Sequence, residues 1–235
     1  MERDKRGGYN RKKINENFFK VWSPSMAYVL GFIYADGAVE DCRKSSRTCY
    51  LCLSNNDLDI LRDILWVMST KQTIVIRGPR VMKIDDREYW CKTNYYVRIG
   101  NKVIYDDLTK LGLCPRKSLV IELPEIPNEF FSYFLRGYFD SDGCIHIENI
   151  RRRLKIIFTS GSRSFLEKLG TYIGRLVSER HVPIYTNRRS FQLSYGGNCA
   201  KNVAALIYQD IVSAPYLKYK YEKYTNYLST KKVTV

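Results

Sequence analysis

The sequence predicts an α+β protein built from two pseudo-twofold-related repeats, each running helix, two strands, helix, two strands, helix. Three observations carry that prediction. First, SPSMAYVLGFIYADG (23–37) resembles PNEFFSYFLRGYFDSDG (127–143): both are apolar helical runs with a Gly five residues before the Asp of a closing Asp-Gly pair, and Asp36 and Asp142 stand 106 residues apart. Second, IYDDLTKLGLCPRKS (104–118) resembles IYQDIVSAPYLKYKY (207–221), which aligns Lys117 with Lys220, 103 residues on. Third, CYLCLS (49–54) matches IIFTSG (156–161), a helical run follows each, and a second strand pair follows that: TIVIR with NYYVRI, then PIYT with SFQLSY. Repetition at one period of about 105 residues marks a duplicated structural unit.

The elements follow in order. Ser23-Pro24 is a helix start, with Ser as N-cap and Pro in the first turn, and Gly37 after Asp36 is a helix stop. Ala27, Gly31 and Ala35 fall at i, i+4 and i+8, a stripe of small residues matched by Gly137 and Ser141 in the second copy. Small residues let two backbones approach, so the two Asp-Gly helices are expected to pair at the interface and bring Asp36 beside Asp142. In the strands Cys49, Leu51 and Leu53 alternate with Tyr50 and Ser54, Val97 and Ile99 with Tyr96 and Arg98, and Phe191, Leu193 and Tyr195 with Gln192 and Ser194. Period two gives each antiparallel sheet an apolar face under helices and a polar, aromatic, basic face outward. The prolines of SLVIELPEIPNE interrupt the pattern, dividing the chain into a first repeat (1–117), a linker (118–129) and a second repeat (130–235).

Composition narrows the partner. Of 235 residues, 45% are hydrophobic and 27% charged, an ordinary folded balance, but 39 Lys and Arg against 24 Asp and Glu leave a net charge of +15. That surplus on a core-forming chain points to a polyanion. A membrane partner is not expected, since no run of about eighteen apolar residues exists. The N-terminal MERDKRGGYNRKK lacks an apolar segment, so the protein is not expected to be secreted. Seven cysteines without a secretory signal read as reduced thiols. Cys49 and Cys52 form a lone C-x-x-C that period two would split across a strand, which argues against zinc.

Basic side chains gather where turns and the outward faces fall: Arg77, Arg80 and Lys83 in a long segment reaching Lys92, Arg151, Arg152 and Arg153 in one turn, and Asn187, Arg188 and Arg189 in another. With Tyr50, Tyr96, Arg98, Lys155 and Gln192 on the strands, and Lys218 near the second repeat's end, these form a candidate double-stranded DNA surface. Basic turns hold phosphates while strand side chains reach base edges.

The Asp pair is the candidate chemistry. A carboxylate at a helix C-terminus opposes the helix dipole, and two together repel. Divalent cations would relieve both, and oxygen ligands suit Mg²⁺ completed by water and phosphate. Metal between carboxylates can activate water against a phosphodiester.

VLGFIYADG (29–37) and LRGYFDSDG (135–143) resemble the two signature helices of LAGLIDADG homing endonucleases, and WSPSMAYVLGFIYADG, LGLCPRKS and YLKYKYEKY resemble the flanks of the single-chain, two-repeat members. The resemblance implies a monomer whose two sheets form a DNA-binding saddle and which cuts both strands at a long, partly degenerate site, leaving short 3′ overhangs. It implies Asp36 and Asp142 as catalytic metal ligands, joined by the carbonyls of Ala35 and Ser141, and Lys117 and Lys220 as catalytic lysines near the scissile phosphates, with Lys218 the fallback for Lys220. Asp140, at the sixth motif position, has Tyr34 as its counterpart and so is not expected to share that role. Mg²⁺ is the expected cofactor, with Mn²⁺ able to substitute and Ca²⁺ supporting binding without cleavage. Two alternatives share the fold: an intron maturase, with RNA as partner, and a non-catalytic DNA-binding regulator. Without a splicing-type N-terminal Cys or Ser or a C-terminal His-Asn, intron homing by an intron-encoded or free-standing enzyme is expected over an intein, in a cytoplasmic, nucleoid-associated or organellar setting.

Overall fold

The computed structural model describes residues 12–46, 48–84, 87–148, 150–178 and 182–232. The first repeat runs α1 (Pro24–Asp36), β1 (Ala38–Asp41), a single turn α2 (Arg43–Ser46), β2 (Cys49–Asn55), α3 (Leu58–Val67), β3 (Val75–Arg77), β4 (Arg80–Ile84), β5 (Arg87–Cys91), β6 (Asn94–Gly100) and α4 (Lys102–Lys110). The second runs α5 (Phe131–Asp142), β7 (Cys144–Ile147), β8 (Leu154–Ser160), α6 (Arg163–Val177), β9 (Ile184–Asn187), β10 (Ser190–Gly196), α7 (Gly197–Ile207) and α8 (Lys218–Lys232). Two antiparallel four-stranded sheets result, ordered β1-β2-β6-β3 and β7-β8-β10-β9, which is one topology used twice. The third, two-stranded sheet β4-β5 has no second-repeat counterpart among the described residues.

Local chemistry sets the boundaries. Ser23 Oγ accepts from Met26 N at 3.1 Å and Pro24 opens α1, satisfying an otherwise orphaned donor. Asp57, Asn101 and Ser162 cap α3, α4 and α6 in the same way. Gly37 and Gly143 end α1 and α5 in extended rather than left-handed backbone, at φ −72° and −78°. Glycine is needed there for space: a Cβ on either would press into the preceding helical turn, at Ile33 or Phe139.

Strand pairing sorts the two faces as the alternation predicts. Leu51 opposite Ile99 and Leu53 opposite Val97 are buried with Ile60, Leu61 and Ile64 of α3 beneath them, and Ile156, Phe158, Leu193 and Tyr195 are buried over Phe165 and Leu169 of α6. Burying each such side chain contributes about 1.5–3 kcal/mol. No helix among the described residues is long and apolar enough to cross a membrane.

The central feature is α1 against α5. Every residue of α1 from Met26 to Tyr34 is buried, as required of a helix packed on more than one side. A methyl on Gly31 would land on the Phe134 carbonyl and the Tyr138 amide, and one on Gly137 on the Tyr28 carbonyl and the Phe32 amide. Shifting 28, 31 and 32 by 106 residues gives 134, 137 and 138. The same contact is therefore made twice in opposite sense, which is the mark of a twofold interface.

Candidate active site and nucleic-acid interface

Because α1 and α5 cross at their glycines, their C-terminal ends emerge together. Asp36 and Asp142, the last residue of each helix, reach solvent at the seam, and Ser141 Oγ of the second repeat donates to Asp36 Oδ2 of the first at 3.2 Å. Partial loss of water pushes both carboxyls upward. Asp142 rises to about 6, with the Asp36 charge as the second cause, while Lys220 and Lys117 pull it back. For Asp36 the Ser141 hydroxyl and the same two lysines oppose the rise.

Lys117 and Lys220 lie beneath the carboxylates, buried to 6% and 3% exposure. Lys117 Nζ donates to the carbonyls of Tyr34 (2.9 Å) and Ala35 (3.0 Å). Lys220 Nζ donates to those of Phe139, Asp140 and Gly143 at 2.6, 2.9 and 2.6 Å. Each ammonium thus closes the carbonyl end of one signature helix, where the dipole favours a cation. Burial lowers both to about 8. A lysine stem rooted below the helix end reaches its carbonyls first, and of these only Phe139 O also accepts from a backbone amide, that of Gly143 at 2.8 Å. The charge opposing the Asp pair is therefore already present as two lysines, and Ala35's carbonyl is engaged by Lys117.

A recess of about 530 Å³ opens beside the carboxylates, lined among others by Asp36, Ser141, Ser54, Asn55, Asn56 and Asn94. Its donors suit a hard cation: the Asp36 carboxylate, hydroxyls and amide oxygens, with room for water and phosphate, while Asp142 is not among the lining residues. No cluster of three or more acidic, His or Cys ligands exists among the described residues, so a cation would take two carboxylates from the protein and the remaining ligands from solvent or substrate. The polar wall was not anticipated from sequence, although the run Ser54-Asn55-Asn56-Asp57 at the end of a strand was its available signal.

Asp140 is 1% exposed: its Oδ2 accepts from Tyr28 OH (3.0 Å) and Leu217 N (2.8 Å), and the residue also lines the recess. Among the surface residues, Tyr50, Tyr96 and Arg98 share the outward face of the first sheet. The Arg98 guanidinium lies 3.6 Å from the Tyr50 ring centroid and pairs with Glu40 at 2.7 Å, and Arg77 lies 4.0 Å over Tyr96. Lys155 and Gln192 share the corresponding face of the second sheet, Gln192 opposite Thr159. Arg151, Arg152 and Arg153 are exposed at the β7–β8 turn, and Asn187, Arg188 and Arg189 at the β9–β10 turn. Arg80 and Lys83 are exposed on β4, where Lys83 pairs with Glu88 at 3.3 Å. Lys218 does not join them. It opens α8 beside Asp63, in a groove with Trp66 and Tyr216 on the helix side of the first sheet, because the buried anchoring of Lys220 fixes which way the first turn of α8 faces.

Residues 129–215 match the family model described as the LAGLIDADG-like domain, and the first repeat reproduces the same topology and the same helix ending. The chain's second repeat carries a LAGLIDADG-like domain. Among curated relatives, reverse gyrase of Methanocaldococcus jannaschii is 31% identical over 93 residues, covering 37% of this chain and 6% of that protein. The probable translation initiation factor IF-2 of Thermococcus kodakarensis is 27% identical over 194 residues, covering 75% of this chain and 15% of that protein. The chain thus spans only a small part of the length of the relatives it matches. Among solved structures, the LAGLIDADG fold is shared with the meganuclease I-SmaMI bound to uncleaveable DNA (TM-score 0.56, 14% identity, 88% of this chain and 90% of that one). It is shared also with I-DmoI in complex with DNA and Mn (0.50, 13%, 84% and 100%). A third similar chain is full-length DUF199/WhiA from Thermatoga maritima (0.51, 17%, 92% and 65%).

Proposed function

We propose that this LAGLIDADG chain is a divalent-metal-dependent DNA endonuclease that acts as a monomer and cuts both strands of a long target, leaving short 3′ overhangs. The observation that carries the reading is the seam itself: one carboxylate from each repeat, brought together by a backbone-to-backbone helix crossing, with a polar recess beside Asp36. In this reading each repeat (1–117 and 130–235, joined by 118–129) serves one strand, and the outward sheet faces form a saddle on the duplex. A bound Mg²⁺ would polarise the phosphoryl oxygen and lower the pKa of the attacking water. Asp36 and Asp142 would hold it, with the Ser141 carbonyl as the further oxygen. Ser141 Oγ orients Asp36. Lys117 and Lys220 act as positioning residues, locking the helix ends and offsetting the negative charge that a phosphate brings. The DNA complexes of I-SmaMI and I-DmoI, one of them with Mn, support the partner and the cofactor class. Intron homing is the proposed biological role.

The likeness to DUF199/WhiA over 92% of the chain favours a second reading, a non-catalytic DNA-binding regulator. Retention of both carboxylates speaks for catalysis. The test is cleavage of a plasmid library carrying a randomised insert, with Mg²⁺ and with EDTA, by wild type and by Asp36→Asn with Asp142→Asn. We expect Mg²⁺-dependent linear product from wild type and a loss of about 10²–10⁴-fold or more in the double variant. Equal cutting by both, or binding without cutting by wild type, overturns the nuclease reading.

A further inference from the structure

The two halves of the seam are not copies of each other. A shift of 106 residues aligns Asp36 with Asp142 and Ala35 with Ser141. The Ser141 hydroxyl crosses the seam to Asp36 Oδ2 at 3.2 Å, whereas Ala35 has only a methyl on its side. Among the described residues Asp142 has no matching hydroxyl; the groups acting on it are the charges of Asp36, Lys220 and Lys117.

The lysines add a second difference. Lys117 donates to the carbonyls of Tyr34 and Ala35, whose counterparts are Asp140 and Ser141. Lys220 takes those of Phe139, Asp140 and Gly143, so the Ser141 carbonyl is not in its set. Of the two carbonyls that precede the aspartates, one is engaged by an ammonium and the other is not. A third difference lies at the strand ends. Asp57 and Ser162 cap equivalent helices, and Asn94 and Ser190 open equivalent strands. Asn55, Asn56 and Asn94 therefore correspond to Ser160, Gly161 and Ser190, which carry no amide side chain. A Cβ on Gly161 would press into the Ser118 carbonyl, so linker backbone lies where the Asn56 side chain begins in the first repeat.

All three differences favour one side. Asp36, Ser141, Asn55, Asn56 and Asn94 line the same recess, and Asp142 does not. A hard cation gathers oxygen donors, and a carboxylate already oriented by a neighbouring hydroxyl is the better ligand.

We propose that the seam is off-centre: Ser141 is a positioning residue that holds Asp36 for the divalent cation, so the cation sits toward Asp36 and the strand that Asp36 serves is cut first. Only the order of cutting rests on the nuclease reading. Each cut adds water across one P–O bond, the hydroxyl going to phosphorus and the proton to the departing oxygen. The order therefore changes neither reactants nor products.

Mn²⁺ alone, titrated into the full chain without DNA and followed by electron paramagnetic resonance, tests the positioning. Ser141→Ala should weaken the tightest Mn²⁺ by about tenfold, as expected when a group that orients a metal ligand is lost. Asp36→Asn should weaken it more than Asp142→Asn does. Strand-resolved cleavage of a labelled duplex recovered from the cleaved library tests the order. Wild type should pass through an intermediate nicked in one strand, and Ser141→Ala should narrow the ratio of the two strand rates by about tenfold. Moving the hydroxyl across the seam, Ala35→Ser with Ser141→Ala, should turn the preference toward the other strand. Unchanged Mn²⁺ affinity in Ser141→Ala, equal losses in Asp36→Asn and Asp142→Asn, or an unchanged strand ratio each overturn the proposal. If affinity falls as expected but nothing is cut, the role of Ser141 stands and the nuclease reading fails. If wild type cuts and Ser141→Ala matches it in both measurements, only the off-centre seam fails.

Discussion

The two repeats keep the same skeleton and support it differently. Both place a glycine at the helix crossing, an aspartate at the helix end and a lysine beneath it. Around these, α5 buries Arg136 and Asp140, while α1 has Leu30 and Tyr34 at the positions 106 residues earlier. Arg136 donates to the carbonyls of Asp210 (2.7 Å) and Ala214 (3.2 Å), and Asp140 accepts from Leu217 N, so polar groups bind the second repeat's helix to the loop that leads into α8. The first repeat makes the equivalent tie with one hydroxyl, Tyr34 OH to the Leu111 carbonyl. What the repeats share is what a twofold site needs; what differs is scaffolding that each repeat can solve separately.

The largest effect should fall on the shared part and be equal in both repeats. Gly31→Val and Gly137→Val each drive side-chain atoms into a facing carbonyl, and overpacking of this kind costs about 3 kcal/mol or more when backbone must move. Denaturant unfolding should show both variants strongly destabilised and to similar extents; a tolerated valine at either position would break the twofold description. The lysines come next and should be unequal. Lys220→Met removes three hydrogen bonds, although Phe139 O keeps the Gly143 amide as a donor, and should cost about 3–5 kcal/mol, whereas Lys117→Met removes two and should cost about 2–3 kcal/mol. Equal costs would mean that the extra bond of Lys220 contributes nothing.

The charge cluster gives a smaller, pH-dependent effect. The Asp142 carboxyl is raised from 3.8 to about 6, so its contribution to stability falls as pH rises through that interval. Lys117 and Lys220 are lowered from 10.5 to about 8, so stability recovers between about 8 and 10.5. The metal-free protein should therefore be most strained by this cluster between about pH 6 and 8. Saturating Mg²⁺ at pH 7.5 should raise Tm by a few degrees, as a ligand at tenfold its Kd does. At pH 5 the rise should shrink, since the carboxylates must be unprotonated to bind. Thermal melts with and without Mg²⁺ at the two pH values check the sign. The smallest effect belongs to the ribbon. Replacing residues 79–92 with Asn-Gly makes the first repeat's hairpin resemble the second's. None of the ribbon's described side chains is buried, so stability should change by no more than about 0.5 kcal/mol.

Much of this was legible in the sequence because it is written in local chemistry. Asp-Gly endings 106 residues apart, the small-residue stripe and strand alternation each follow from spacing, and the structure turns them into a helix crossing and two matched sheets. The lysines were legible as a repeat but not as buried groups: how far an ammonium reaches depends on which carbonyl lies nearest after the helices cross. The same lack of tertiary information put Lys218 on the wrong side, since one buried lysine two residues later fixes its direction. The stretch from Arg77 to Lys92 showed its charge but not its ribbon, because the register Met82 to Tyr89 is set by pairing across a turn and not by a strong apolar alternation. Asn55 and Asn56 were passed over because amides carry no charge pattern, although their place at the end of β2 puts them on the recess wall.

The central claim is that each repeat's aspartate serves one strand of DNA at a shared seam. Strand-resolved cleavage by Asp36→Asn and Asp142→Asn singly, on a labelled duplex recovered from the cleaved library, tests it most directly. Each variant should nick, with the first-cut strand shifted toward opposite strands in the two variants, and the pair together should leave the duplex intact. If either single variant cuts both strands at the wild-type rate, or both variants favour the same strand, the paired-carboxylate account is wrong.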